Sequence, residues 1–203
     1  MSYSDFTLAS VVQVFDLAIA ESINVFATIP EYPISPFLTE TLRRNLSLAI
    51  ASNSEKARSE MIIAPILVEL REQLHETISL FSGIDFTVQP SKGLNGICDF
   101  IISRSPELLR VRSPIAVVVE AKKENLNAGL GQCIAEMVAA QLFNQHQEPT
   151  ISTIYGAVTS GTNWRFLKLQ DHIVTIDLDE YYLADIDKIL GILISPFHDP
   201  LSS

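Results

Sequence analysis

Val117-Val118-Val119-Glu120-Ala121-Lys122 is the stretch on which the reading of this chain turns. Side chains alternate faces along a strand, so Glu120 and Lys122 share one face and Ala121 points the other way. Three consecutive valines predict an internal strand, buried on both sides. Glu120 and Lys122 come where that strand emerges. A charged pair at the end of a buried strand needs either a partner or a task. The plain reading is a salt-bridged strand pair; the sharper one is half of a catalytic centre.

Two further acids belong to the argument. In Gly96-Ile97-Cys98-Asp99-Phe100-Ile101-Ile102, Asp99 interrupts the apolar run of the preceding strand. Aspartate is disfavoured in strands and costly to bury without a partner. Paired strands would set Asp99 beside Glu120, and two carboxylates that close repel unless a cation lies between them. An all-oxygen set suits a hard ion such as Mg²⁺ or Mn²⁺. The plain alternative is Asp99 satisfied by Arg104 or a backbone N–H. Glu60 precedes the apolar run Met61-Ile62-Ile63-Ala64-Pro65-Ile66-Leu67, and its ordinary reading is a solvated helix glutamate.

Outward from these segments the period changes along the chain. Apolar Thr7–Ala20 predicts a helix facing a core or a second subunit. Pro30, Pro33 and Pro36 mark a connector, and Ser35-Pro36 opens a helix over 36–51. Ser54 caps a long helix from Glu55 to about Phe81, kinked at Pro65 and stopped by Gly83. Strands are expected at Ile84–Gln89, Gly96–Ser103 and Ile115–Ala121, then a helix over Asn127–Gln145 ended by Pro149. Strands follow at Thr150–Val158, Trp164–Leu169 and His172–Ile176, with a last helix over Asp185–Leu193. This order is that of an α/β fold with a mixed sheet covered by helices.

Composition bounds the rest. The 203 residues are 47% hydrophobic and 19% charged, enough for a real core and unlike a disordered chain. The mean hydropathy of +0.25 is apolar. With the apolar N-terminal helices it suggests a homodimer. No apolar stretch approaches the roughly 20 residues of a spanning helix. Met1-Ser2-Tyr3-Ser4-Asp5 has no basic region of a secretory signal, so a cytoplasmic, non-membrane protein is expected. Cys98 and Cys133 form no CxxC pair and read as buried thiols. Net charge is −10, but residues 1–42 carry five acids and no base, and 169–203 carry seven acids against one base. Between them 13 bases face 12 acids, so the global charge says little about what the middle binds.

Glu60 on a leading helix, Asp99 on a strand, Glu120-Ala121-Lys122 at the end of the next, and Gln132 on the following helix together resemble the PD-(D/E)XK nuclease superfamily, over roughly residues 54–169. The resemblance implies a restriction-endonuclease-like αβββαβ core with a mixed sheet flanked by helices. It divides the chain into an N-terminal helical extension (1–53), a nuclease-like core (54–180) and a C-terminal helix and tail (181–203). It also implies a Mg²⁺- or Mn²⁺-dependent endonuclease-like hydrolase of DNA. Asp99 and Glu120 resemble the metal ligands, with the Ala121 carbonyl, and Glu60 the helix glutamate that reaches the metal directly or through water. Lys122 resembles the residue that assists the attacking water, and Gln132 the polar group on the next helix. Cys98 replaces the name-giving proline, and Glu136 stands where the Gln-x-x-x-Tyr branch has tyrosine. The alternative is a catalytically idle nuclease-fold protein that serves as a binding or scaffold module.

Other chemistries find no support. His75, His146, His172 and His198 lack metal-ligand spacing, and Gly129-Leu130-Gly131 does not follow a strand directly. No Gly-x-Ser-x-Gly elbow occurs. Trp164 and Phe166 share a strand face and read as core, with base stacking as the lesser reading. Arg104, Arg110 and Arg112 lie in the loop between the motif strands, where they are either solvated or in contact with phosphate. Lys123 points away from Lys122, toward solvent first, with phosphate contact as the lesser reading.

Overall fold

The computed structural model describes residues 1–147 and 151–198. Strand β4 (Ile115–Ala121) is buried at every position, as three valines in a row predict. It lies in a mixed eight-stranded sheet with helices on both faces. The other strands are β1 (Ala18–Ser22), β2 (Ser79–Asp85), β3 (Ile97–Ser103), β5 (Thr153–Thr159), β6 (Asn163–Gln170), β7 (Ile173–Asp177) and β8 (Tyr181–Tyr182). The order across the sheet is β1-β7-β6-β5-β4-β3-β2, with β8 on β6. The pairs β1–β7 and β4–β5 are parallel and the rest antiparallel. A parallel neighbour requires a crossover, and α5 (Leu130–Gln147) supplies it between β4 and β5.

Each face of the sheet has its own core. On one, α1 (Leu8–Phe15) and α5 pack over Cys98, Ile101, Val118, Val158 and Leu167. On the other, α2 (Pro36–Ala51), α4 (Ala64–Gln73) and α6 (Ile186–His198) pack over Phe100, Val117, Val119, Trp164 and Phe166. Part of the N-terminal apolar surface is spent inside the chain: Tyr3, Phe6 and Val11 are buried in the core that includes α5, while Val14, Phe37, Leu48 and Ile50 stay exposed. Gly131 permits that contact, since a Cβ there would lie 2.4 Å from the Phe6 carbonyl oxygen. Among the described residues, no helix is long and apolar enough to cross a membrane. Cys98 and Cys133 are buried free thiols.

Several elements depart from expectation, each for a local reason. The first helix stops at Phe15 because Asp16 turns left-handed (φ 51°), and residues 18–22 join β7 as an edge strand. The N-terminal segment is therefore not wholly helical. The long helix expected from Glu55 is α3 (Glu55–Arg58), a π turn (Ser59–Ile63) and α4. Pro65 has no N–H for the Met61 carbonyl, four residues back. Asn45 of α2 donates to that carbonyl instead, at 3.0 Å. The helix ends at Gln73, not Phe81. His75 takes a left-handed conformation (φ 52°), and the His75 and Glu76 N–H groups bond back to Glu72 and Arg71, at 2.9 and 3.0 Å. This is a Schellman stop without glycine. The next strand consequently starts at Ser79, earlier than the expected Ile84. A 3₁₀ turn (Leu126–Gly129) precedes α5, and α6 continues beyond Leu193 to His198. Pro149 and Thr150, expected to end the helix and open the next strand, lie outside the described residues.

Candidate active site

Strands β3 and β4 run antiparallel, with Phe100 opposite Val119. The next rung sets Asp99 against Glu120, but the ladder stops there. Asp99 Oδ2 instead accepts the Ala121 backbone N–H at 2.8 Å, as the plain reading of Asp99 allowed. The same bond ties the aspartate strand to the Glu120-Ala121-Lys122 end. On the other side of β4, the Lys122 N–H donates to the Thr159 carbonyl at 2.8 Å, continuing the parallel pairing with β5. The end of β4 is therefore held from both sides.

Glu120 is buried to 1% exposure. Its Oε1 pairs with Lys122 Nζ, and its Oε2 accepts from Gln132 Nε2 at 2.9 Å. Lys122 Nζ also donates to Gln132 Oε1 at 3.4 Å. The Gln132 amide donates further to Glu136 Oε1 at 3.1 Å, one turn on along α5. Glu136 is fully buried, and its Oε2 has no hydrogen-bond partner. The stem of Lys122 passes over Gly129, where a Cβ would lie 3.0 Å from Lys122 Cγ and 2.6 Å from Val158 Cγ1.

These positions shift the local proton equilibria. Burial and the charge of Asp99 push the Glu120 carboxyl up to about 8, against the pull of Lys122. Burial alone would lower Lys122, but Glu120 offsets it and, with Glu55 and Asp99, holds the ammonium above its ordinary value. Burial also pushes Glu136 far up, toward its neutral form. The corner thus has more carboxyl groups than cations to balance them.

Beside Asp99 opens a cleft of about 360 Å³, lined by Glu55, Lys56, Ser59, Glu60, Ser82, Gly83, Asp99 and Ala121. Glu60 lies on its wall, exposed and 3.7 Å from Lys56, much as a solvated helix glutamate would. Glu120, Lys122 and Gln132 are not part of that lining. Of the expected residues, the structure joins Glu120, Lys122 and Gln132 directly and ties Asp99 to them through Ala121. It leaves Glu60 at the margin. No family model, curated protein or solved structure matches the chain. The site has to be read from its own geometry.

Sequence reasoning overlooked Glu55 and the contact of Glu136 with Gln132. Glu55 lines the cleft, and its charge acts on both Glu120 and Lys122. It directly follows the cap Ser54, where acids are commonplace, so nothing marked it. Glu136 was legible as the residue four after Gln132, on the same helix face. The arginine loop favours the solvated reading. It joins the far ends of β3 and β4, five residues or about 17 Å from Asp99 and Glu120, and Arg110 and Arg112 pair with Glu107. Trp164 and Phe166 are buried, so they offer no stacking surface for bases. Lys123 is exposed, as expected.

Among the described residues, no three His, Cys, Asp or Glu side chains converge to hold a metal ion by themselves. Mg²⁺ does not require such a cage, since it is commonly held by one or two carboxylates with water and substrate oxygens completing the shell. A divalent cation would relieve the carboxylate repulsion that raises Glu120, and the all-oxygen character of Asp99, Glu120 and the Ala121 carbonyl fits a hard ion.

Proposed function

We propose that this chain is a Mg²⁺- or Mn²⁺-dependent phosphodiester hydrolase, endonuclease-like and acting on DNA, on a restriction-endonuclease-like core. The observation that carries the reading is the joining of Asp99 to Glu120-Ala121-Lys122 through the Ala121 N–H, with Gln132 closing the group from α5. The element order supports it: a helix, strands β2, β3 and β4, helix α5 and strand β5. Asp99 and Glu120 would hold the cation, with the Ala121 carbonyl. When bound, the cation makes its water more acidic and withdraws charge from the phosphate. Lys122 places an ammonium beside the carboxylates, where it assists the attacking water and offsets charge developing on the phosphate oxygens. Gln132 keeps both charged groups in register.

The test is nicking of supercoiled DNA by purified protein with Mg²⁺ or Mn²⁺. Asp99→Ala and Lys122→Ala should each lower the rate by about 100-fold or more. Wild type and variants with equal, trace-level activity would overturn the reading.

A second reading has its own support. Both Glu120 oxygens are engaged by Lys122 and Gln132, and the cleft lining holds one cation, Lys56, against Glu55, Glu60 and Asp99. A nuclease-fold scaffold without turnover fits that arrangement. Calorimetric titration with Mn²⁺ separates the two: heat that is lost in Asp99→Ala favours the hydrolase, and no heat in wild type favours the scaffold.

A further inference from the structure

We infer that Glu136 is a positioning residue: from within the core it fixes the Gln132 amide, and through that amide the Glu120 and Lys122 side chains. Its consequence for catalysis rests on the metal site proposed above; its consequence for the amide does not.

Glu136 carries a buried oxygen without a hydrogen-bond partner. Glu136 is fully buried on α5 among Cys133, Ala135, Met137, Ala139 and Ala140, all buried as well. Its Oε1 accepts from Gln132 Nε2 at 3.1 Å, its Oε2 has no hydrogen-bond partner, and the Cys98 thiol is a further polar group that acts on the carboxyl through a hydrogen bond. A buried carboxyl with half its hydrogen-bonding capacity unmet lowers stability relative to an apolar side chain of similar size. A local rule broken in this way, with no gain in packing, points to function.

What Glu136 does is visible in the bonds of Gln132. The one Nε2 group bridges Glu120 Oε2 at 2.9 Å and Glu136 Oε1, while Oε1 faces Lys122 Nζ at 3.4 Å. A glutamine side chain has three rotatable bonds and is free to turn its amide. Two acceptors on the nitrogen side fix which end faces Glu120 and which faces Lys122. Glu136 is the acceptor that no cation can recruit, because α5 and the sheet enclose it. Burial, and after it the Glu120 charge, favour its neutral form, and its Oε1 brings an acceptor into the core beside Gln132.

The experiment uses the full chain and two substitutions. Glu136→Met, similar in length and apolar, removes the acceptor; Glu136→Gln keeps an acceptor oxygen. Three quantities are read: the melting temperature, the Gln132 side-chain amide signals by NMR (assigned by their loss in Gln132→Met), and Mn²⁺ affinity by electron paramagnetic resonance. In Glu136→Met the melting temperature should hold or rise while the Gln132 amide signals collapse toward those of a solvent-averaged amide. Mn²⁺ affinity should fall about 10-fold or more. Glu136→Gln should restore both readings to near wild type.

The proposal is overturned if the Gln132 amide is unchanged in Glu136→Met. It is also overturned if stability, amide signal and Mn²⁺ affinity fall together in both variants, as a purely structural role would require. Wild type without Mn²⁺ binding would remove the metal site, and the amide comparison would then decide the role of Glu136 alone. If Glu136→Met does not fold, Glu136→Leu supplies the same comparison with an equally good helix former of different shape.

Discussion

Glu120→Gln turns the electrostatics of the site into a stability measurement. The Glu120 carboxyl lies at about 8 in the folded chain against an ordinary 4.5. Because the folded value is raised, the native state keeps a proton that the unfolded chain has released. Stability from this group is complete below about pH 4.5 and is lost as pH rises toward 8. At 1.4 kcal/mol per tenfold, the gap sets a ceiling of about 5 kcal/mol. For a chain of this size that is a ceiling of roughly 10–20 °C in melting temperature. Glutamine keeps the neutral shape and does not titrate. In metal-free buffer, wild type and Glu120→Gln should melt together near pH 4.5, and the variant should gain steadily up to pH 9. Glu120 also acts on Lys122 and Glu136, so the difference between the two curves reports Glu120 together with its effect on those neighbours. Curves that stay parallel from pH 4.5 to 9 would refute the buried, Asp99-opposed carboxyl.

Three further outcomes follow from single contacts. Gly129→Ala forces a Cβ to 2.6 Å from Val158 and 3.0 Å from Lys122. Thermal unfolding should show a loss of about 1–3 kcal/mol, and any nicking activity should fall with it as Lys122 is displaced. Arg110→Ala and Arg112→Ala, at the far end of the β3–β4 hairpin, should leave the nicking rate unchanged within about twofold, because roughly 17 Å of strand separates them from Asp99. Tyr3→Phe removes the hydroxyl that donates to the buried Phe86 carbonyl at 2.7 Å. Urea unfolding should show a loss of about 1–3 kcal/mol with the fold intact.

What the sequence conveyed depended on whether the signal was local. Strand β4 and helix α2 match their expected bounds, since a run of valines and a Ser-Pro helix start state their structure directly. The stop of α4 was illegible because His75, a β-carbon residue, occupies the left-handed position usually marked by glycine. Strand β1 was read as helix because Ala18–Ser22 has little strand character of its own. Its partner β7 lies some 150 residues downstream, and tertiary pairing decides its state.

The site divided in the same way. Glu120, Lys122 and Gln132 were legible because a charge at the end of a buried strand, and an amide on the helix that follows it, have few places to go. Glu60 and Glu55 are neighbours on one helical segment, and which of them acts on Glu120 depends on how the π turn rotates that segment. Pro65 hinted at that turn without specifying it. The solvated reading of the arginine loop was legible too, because Glu107 sits among the arginines and pairs with Arg110 and Arg112.

The central claim is that Asp99 and Glu120 share a divalent cation. Diffraction from crystals soaked in Mn²⁺, recorded to locate anomalous scattering, tests it most directly. A peak is expected about 2.1 Å from oxygens of both carboxylates, lost in Asp99→Ala crystals. A map with no peak in the Asp99 cleft, or with Mn²⁺ on surface acids alone, would contradict it.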